Sequence, residues 1–200
     1  MIRVGVCGGI GSGKSTVCEM FAERGVAIYS SDERAKELMN TSPQIREALQ
    51  EAFGRECYTA EGLNRRYLAE QVFGDEARLQ QLNAIVHPAV REDFERWAAE
   101  QSGEYVILES AILFESHFDR IVDVSVAVLA PESLRLNRAM QRDGATAEQI
   151  KARMAMQCSD DFLLAHATYS IVNISLEDVR KDVDELNFRL RTLSKNRAQG

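Results

Sequence analysis

Gly8-Gly9-Ile10-Gly11-Ser12-Gly13-Lys14-Ser15-Thr16 is the stretch whose reading decides the fold. Gly8 and Gly13 bracket four residues and Lys14-Ser15 follows, which is the G-x-x-x-x-G-K-[ST] spacing of a phosphate-binding loop. A triphosphate needs several backbone N–H groups aimed at it, and glycines let the chain curl that tightly and approach that closely. Gly11, Ser12, Gly13, Lys14, Ser15 and Thr16 are therefore the nucleotide-binding candidates. Lys14 reaches the β- and γ-phosphates, and the Ser15 hydroxyl is placed to ligate Mg²⁺. A dinucleotide-binding turn fits less well, because its third glycine would fall where Lys14 stands.

The flanks agree with the motif. Residues 1–7 read as a buried strand, and Val17, Met20 and Phe21 recur at helical spacing after the loop. Strand, glycine loop and helix follow in the order that puts phosphates at a helix N-terminus. Val26 to Tyr29 reads as a second strand, followed by a helix opening at Asp32. If the first two strands are parallel, their carboxyl ends share one edge of the sheet, where ligands bind in open α/β folds. Asp32 is then a candidate base; otherwise it complements a helix N-terminus.

From Pro43 to Gln101 the pattern is helical without strands, so an inserted helical subdomain is expected. His87-Pro88 interrupts its long apolar face, and proline suits the first turn of a new helix, which puts His87 at a helix start. Tyr105 to Glu109 reads as a third strand, apolar on consecutive residues as a buried parallel strand should be. Its terminal Glu109 resembles the carboxylate position that helps hold Mg²⁺.

Val122 to Leu129 is a fourth strand. Arg135, Arg138 and Arg142 then fall at i, i+3 and i+7 on one helix face. Thr146-x-x-Gln149 is a capping box opening a helix that carries Arg153 and Gln157. This arginine-bearing hairpin reads as a lid that closes on phosphates. Thr168 to Val172 is a fifth strand, Leu176, Val179, Val183, Leu186 and Leu190 pack a terminal helix, and 194–200 reads as a polar, frayed tail.

The predicted architecture is α/β: a P-loop kinase with a five-stranded parallel sheet flanked by helices, a helical substrate-binding insertion and a helical lid. Within a single domain of 200 residues, the core covers about 1–31, 102–134 and 158–200, the insertion about 32–101 and the lid about 135–157.

The composition is that of a globular chain, with 45% apolar and 28% charged residues. A net charge of −7 argues against broad nucleic-acid or anionic-membrane binding. Four scattered cysteines without a C-x-x-C pair fit reduced thiols. The N-terminus runs straight into the first strand, with no signal peptide, and no apolar run approaches a membrane span, so a cytoplasmic protein is expected. The oligomeric state stays open between a monomer and a weak oligomer. No N-K-x-D guanine signature is present, which favours a small-molecule kinase over a GTPase-like switch.

The chain also resembles the dephospho-CoA kinase family along nearly its whole length. The matching pieces are the loop at 8–16, Asp32, G-L-N-R-R-Y-L-A-E-Q-V-F at 62–73, L-N-A-I-V-H-P at 82–88, I-L-F-E at 112–115, R-A-M-Q-R-D at 138–143, R-M-A-M-Q at 153–157 and Asn173. The resemblance implies transfer of the ATP γ-phosphate, with Mg²⁺, to the ribose 3′-hydroxyl of dephospho-CoA. It implies Asp32 as base, Arg65 and His87 in the CoA-binding subdomain, Arg138 and Arg142 in the lid, with Arg142 catalytic, and Asn173 at the adenine end of ATP. The chain departs from the common pattern at Ser30, where many members carry a second acid, at Ala111, where many carry proline, and at Glu109, which is often aspartate. A nucleoside or small sugar-like alcohol is the alternative acceptor.

Overall fold

Alternation of short apolar strands with helices produces a five-stranded, wholly parallel sheet in a computed structural model that describes residues 1–199. Its strands are β1 (Ile2–Cys7), β2 (Ala27–Ser30), β5 (Tyr105–Glu109), β6 (Val124–Leu129) and β7 (Tyr169–Val172), in the order β2-β5-β1-β6-β7. The first two strands are thus not neighbours, since β5 lies between them. The register still aligns their carboxyl ends: Ser30 and Val6 both stand opposite Glu109. Helices α1 (Lys14–Ala22) and α9 (Leu176–Gln199) supply Val17, Met20, Phe21, Val179, Val183 and Leu190 to the same core as Val4, Ile107, Val126 and Ile171. Wholly buried β1 and β5 residues explain why these strands read as continuous apolar runs.

Helices α6 (Glu132–Asp143), α7 (Ala147–Met154) and α8 (Asp160–His166) follow β6, and α6 and α7 have a small core of their own in which Ile10 packs with Ala139 and Ile150. The Thr146–Gln149 capping box forms as the sequence predicts. Helix α8 was not anticipated, although Ser159 caps it by accepting the Phe162 N–H at 3.1 Å.

The chain divides into two compact units, residues 1–30 with the described residues from Glu100 onward, and residues 31–99. The second unit contains α2 (Ser31–Thr41), α3 (Pro43–Phe53), α4 (Arg65–Val72) and α5 (Glu76–Ala99) around Ile45, Leu49, Phe53, Tyr58 and Leu68.

Four expectations need correction here. The insertion is not purely helical, because β3 (Tyr58–Thr59) and β4 (Gly62–Leu63) form an antiparallel hairpin. Helix α2 fixes it from the side: Asn40 Oδ1 accepts the Leu63 N–H at 3.1 Å and Tyr58 Oη donates to the Met39 carbonyl at 2.6 Å. His87-Pro88 does not start a helix, because Pro88 lies inside continuous α5. Pro88 and Ala84, whose carbonyl loses its helical donor, are both exposed, so water can satisfy that carbonyl while Val86, Val90 and Phe94 pack inward. The C-terminal segment is not a frayed tail either. Helix α9 continues to Gln199, and the buried Ser194 hydroxyl donates to the Glu104 carbonyl; Gly200 lies outside the described residues. Leu176, expected to pack inward, is exposed.

Within the second unit, α2 and α5 are joined by a bidentate pair in which Arg34 Nε and Nη2 donate to Asp93 at 2.8 and 2.9 Å. Asp93 is buried, so losing the guanidinium strands a carboxylate. Arg34→Ala is expected to cost about 2 kcal/mol in denaturant unfolding, less than for a fully buried pair because Arg96 still reaches Asp93. An unchanged unfolding midpoint would refute this role.

Candidate active site

The loop between β1 and α1 takes the conformation that its glycines allow. Gly11 and Gly13 have φ of 76° and 89°, a region that favours glycine. A Cβ on Gly11 would fall 2.1 Å from the Arg135 carbonyl oxygen, and one on Gly13 would fall 2.0 Å from Asn173 Nδ2. Close packing as well as dihedral preference therefore excludes side chains here. Helix α1 has Gly13 as N-cap, no side-chain cap and no acid in its first turn. A helix N-terminus without a side-chain cap or an acid in its first turn suits an anion.

Around this cradle the structure gathers most of the residues expected in the first unit. Lys14 Nζ donates to the Gly8 carbonyl at 2.8 Å, which folds the side chain back over the loop. Ser15 Oγ donates to Glu109 Oε1 at 2.8 Å. A hydroxyl and a carboxylate at that separation are hard oxygen donors, suited to Mg²⁺ that keeps the rest of its shell from phosphates and water. No cluster of three or more His, Cys, Asp or Glu side chains among the described residues offers a full protein cage.

Asn173, one residue beyond β7, is buried and reaches the loop directly: its Nδ2 donates to the Ser12 carbonyl at 2.9 Å. Its backbone N–H is held by the Leu129 carbonyl at 2.7 Å, and its own carbonyl accepts from Arg138 Nη1 at 3.2 Å. Arg138, Asn173 and the loop are thus one connected group.

The three arginines of α6 do not present a uniform face. Arg135 is buried, with Nε on the Ile10 carbonyl at 3.2 Å and Nη1 on Asp160 at 2.6 Å. Arg138 is half-buried and Arg142 exposed. The sequence reading missed Arg135 as a support of the loop, and it missed Gln157, whose Oε1 accepts the Ile10 N–H at 2.8 Å. The available signal for Arg135 was its setting between Leu134 and Leu136 in the first turns of α6, closest to the strand end.

Arg142 bonds Asp143 at 2.7 and 3.1 Å, and Arg153 joins it from α7 at 2.6 Å. The two guanidiniums hold the Asp143 carboxyl at about 2, well below its ordinary value of 3.8. The thiol of Cys7, at the head of the loop, is pushed up to about 12, chiefly by burial, so it is no nucleophile at neutral pH.

Asp32, Arg65 and His87 belong to the second unit. Asp32 is exposed in the first turn of α2 beside Glu33, two residues after the last residue of β2. Arg65 is exposed at the first position of α4, and His87 is half-buried in mid-α5.

Comparison with known proteins identifies the family. The dephospho-CoA kinase family model matches residues 2–178. The dephospho-CoA kinase of Salinibacter ruber is 42% identical over 191 residues, covering 93% of this chain and 96% of the relative. Among solved structures, a Thermus thermophilus protein superposes with a TM-score of 0.84 at 29% identity, covering 94% of this chain and 96% of that one. The dephospho-CoA kinase of Campylobacter jejuni gives 0.65 at 25% identity, with 98% of each chain covered.

Because Asp143 is depressed on folding, the α6–α7 elbow is fully supported above pH about 3.8 and loses that support as pH falls toward about 2. Carboxyl titration followed by NMR should place the Asp143 midpoint near the lower value, and a midpoint near 3.8 would show that the two arginines do not hold it.

Proposed function

Since the chain belongs to the dephospho-CoA kinase family, and so phosphorylates dephospho-CoA at the expense of ATP to give CoA, we propose that Asp32, Lys14 and Arg142 carry the transfer to the ribose 3′-hydroxyl. The observation that carries this reading is the Ser15–Glu109 bond beside an uncapped α1, because it joins an anion cradle to a hard-cation pair.

Phosphoryl transfer asks for positioning and charge neutralisation more than for covalent chemistry. The triphosphate lies on the N–H groups of Gly11 to Thr16, and Lys14 exchanges its bond to the Gly8 carbonyl for phosphate oxygens. Ser15 and Glu109 would hold Mg²⁺, which screens charge on the phosphates when bound. Arg138 and Asn173, already linked to each other and to the loop, face the nucleotide.

Asp32 accepts the proton of the 3′-hydroxyl as that oxygen bonds the γ-phosphorus and the bond to the ADP oxygen breaks. Chain connectivity supports the assignment, because Asp32 follows by two residues the strand end that aligns with Glu109. Its exposure leaves both carboxylate oxygens open to a substrate. Arg65 and His87 bind dephospho-CoA in the helical subdomain. Arg142 neutralises the transferred group. When it leaves Asp143, Arg153 remains as that carboxylate's partner, which lowers the cost of the exchange.

The protein acts as a small-molecule enzyme without nucleic-acid or membrane partners, in the cytoplasm, as a monomer or weak oligomer. Among the described residues no helix is long and apolar enough to cross a membrane.

Asp32→Asn should lower kcat by roughly 100- to 10,000-fold while ADP affinity, read by calorimetry, stays near wild type. Retention of most of kcat would make Asp32 structural. Lys14→Ala should lose about 2 kcal/mol or more in kcat/KM for MgATP, comparable to removing one preorganised donor; near-wild-type turnover would remove Lys14 from the reaction.

A further inference from the structure

Two residues from opposite ends of the arginine-bearing hairpin hold the same part of the phosphate loop. Arg135, near the start of α6, donates to the Ile10 carbonyl, and Gln157, just past α7, accepts the Ile10 N–H. The Ile10 side chain meanwhile plugs the α6–α7 core against Ala139 and Ile150. Both polar groups of Ile10 are thus spent on the hairpin's roots rather than on a ligand.

Gln157 reaches one step further. Its Nε2 donates to the Ala111 carbonyl at 3.2 Å. Ala111 stands two residues after Glu109, the carboxylate that holds Ser15. A single amide therefore spans the phosphate loop and the turn that follows the Glu109 strand, accepting from one and donating to the other. The carboxamide offers both an acceptor and a donor in one fixed plane. Arg135 opposite is kept in place by Asp160, so the grip on Ile10 is braced from both sides.

We propose that Gln157 is a positioning residue for nucleotide use: it fixes the spacing between the phosphate loop and the Glu109 turn, and ties the end of α7 to that spacing. It acts through Ile10 and Ala111, without touching the reacting atoms. The proposal rests on the kinase reading above.

Two variants separate bridging from packing. Gln157→Met keeps the length and removes both hydrogen bonds. Gln157→Glu is nearly isosteric and keeps the acceptor for Ile10, but its carboxylate opposes the Ala111 carbonyl. Both should lower kcat/KM for MgATP by about tenfold, as expected for losing one or two neutral hydrogen bonds at a site that must be ordered. KM for dephospho-CoA should not change, and the far-UV circular dichroism should stay that of wild type. ADP affinity by calorimetry should weaken in parallel. That readout needs no turnover, so it tests Gln157 even if the wild-type chain proved inactive on dephospho-CoA, a result that would count against the kinase reading instead. A wild-type ADP affinity and KM for MgATP in either variant would overturn the proposal. So would a lowered melting temperature with unchanged nucleotide constants, which would mark Gln157 as a packing residue.

Discussion

Lack of room is the constraint on which the rest of this site depends. At Gly11 and Gly13 the backbone turns through left-handed dihedrals while the Arg135 carbonyl and the Asn173 amide press against the positions that a Cβ would take. The loop is therefore shaped by its surroundings as much as by its own glycines. Those surroundings come from separate parts of the chain: the end of β7, the first turns of α6 and the segment after α7. A parallel sheet brings such distant segments to one edge, because every strand delivers its following residue to the same side. Asn173 is on hand because Val172 registers with Leu129, and Glu109 because it registers with Val6.

Charge is arranged with the same economy. In a chain of net charge −7 the arginines of α6 have defined partners. Arg135 is buried and neutralised by Asp160, so its part is mechanical. Arg138 is tied to a carbonyl and makes no ion pair among the described residues. Arg142 shares Asp143 with Arg153, an exposed arrangement in which each pair is worth little and exchange is cheap. A buried arginine supports the loop, while an exposed one keeps its freedom to turn.

Much of this was legible in the sequence. The glycine spacing, Lys14 and Ser15 specify a backbone geometry, and the apolar run ending at Glu109 specifies a buried strand. Thr146 and Gln149 specified their capping box because that interaction is local. What stayed hidden depends on long-range packing. Only its setting between Leu134 and Leu136 marks Arg135 off from Arg142 locally, since the same residue type on one helix face runs from buried to exposed once the loop is packed against it. Gln157 contacts residues 147 positions and 46 positions away. Pro88 was misread for the opposite reason: a strong local signal was overridden by the packing of Val86, Val90 and Phe94 on either side of it. The β3–β4 hairpin was too short for its alternation to show.

The family identity and the site geometry converge on one claim, that this chain moves a phosphoryl group from ATP to dephospho-CoA. The most direct measurement is ADP release by the purified protein with MgATP and dephospho-CoA, run beside nucleoside monophosphates, shikimate and gluconate, with the product identified by mass. The account predicts ADP release that depends on dephospho-CoA and yields CoA in equal amount. Tight ATP binding with no turnover of dephospho-CoA, or faster turnover of one of the other acceptors, would contradict it.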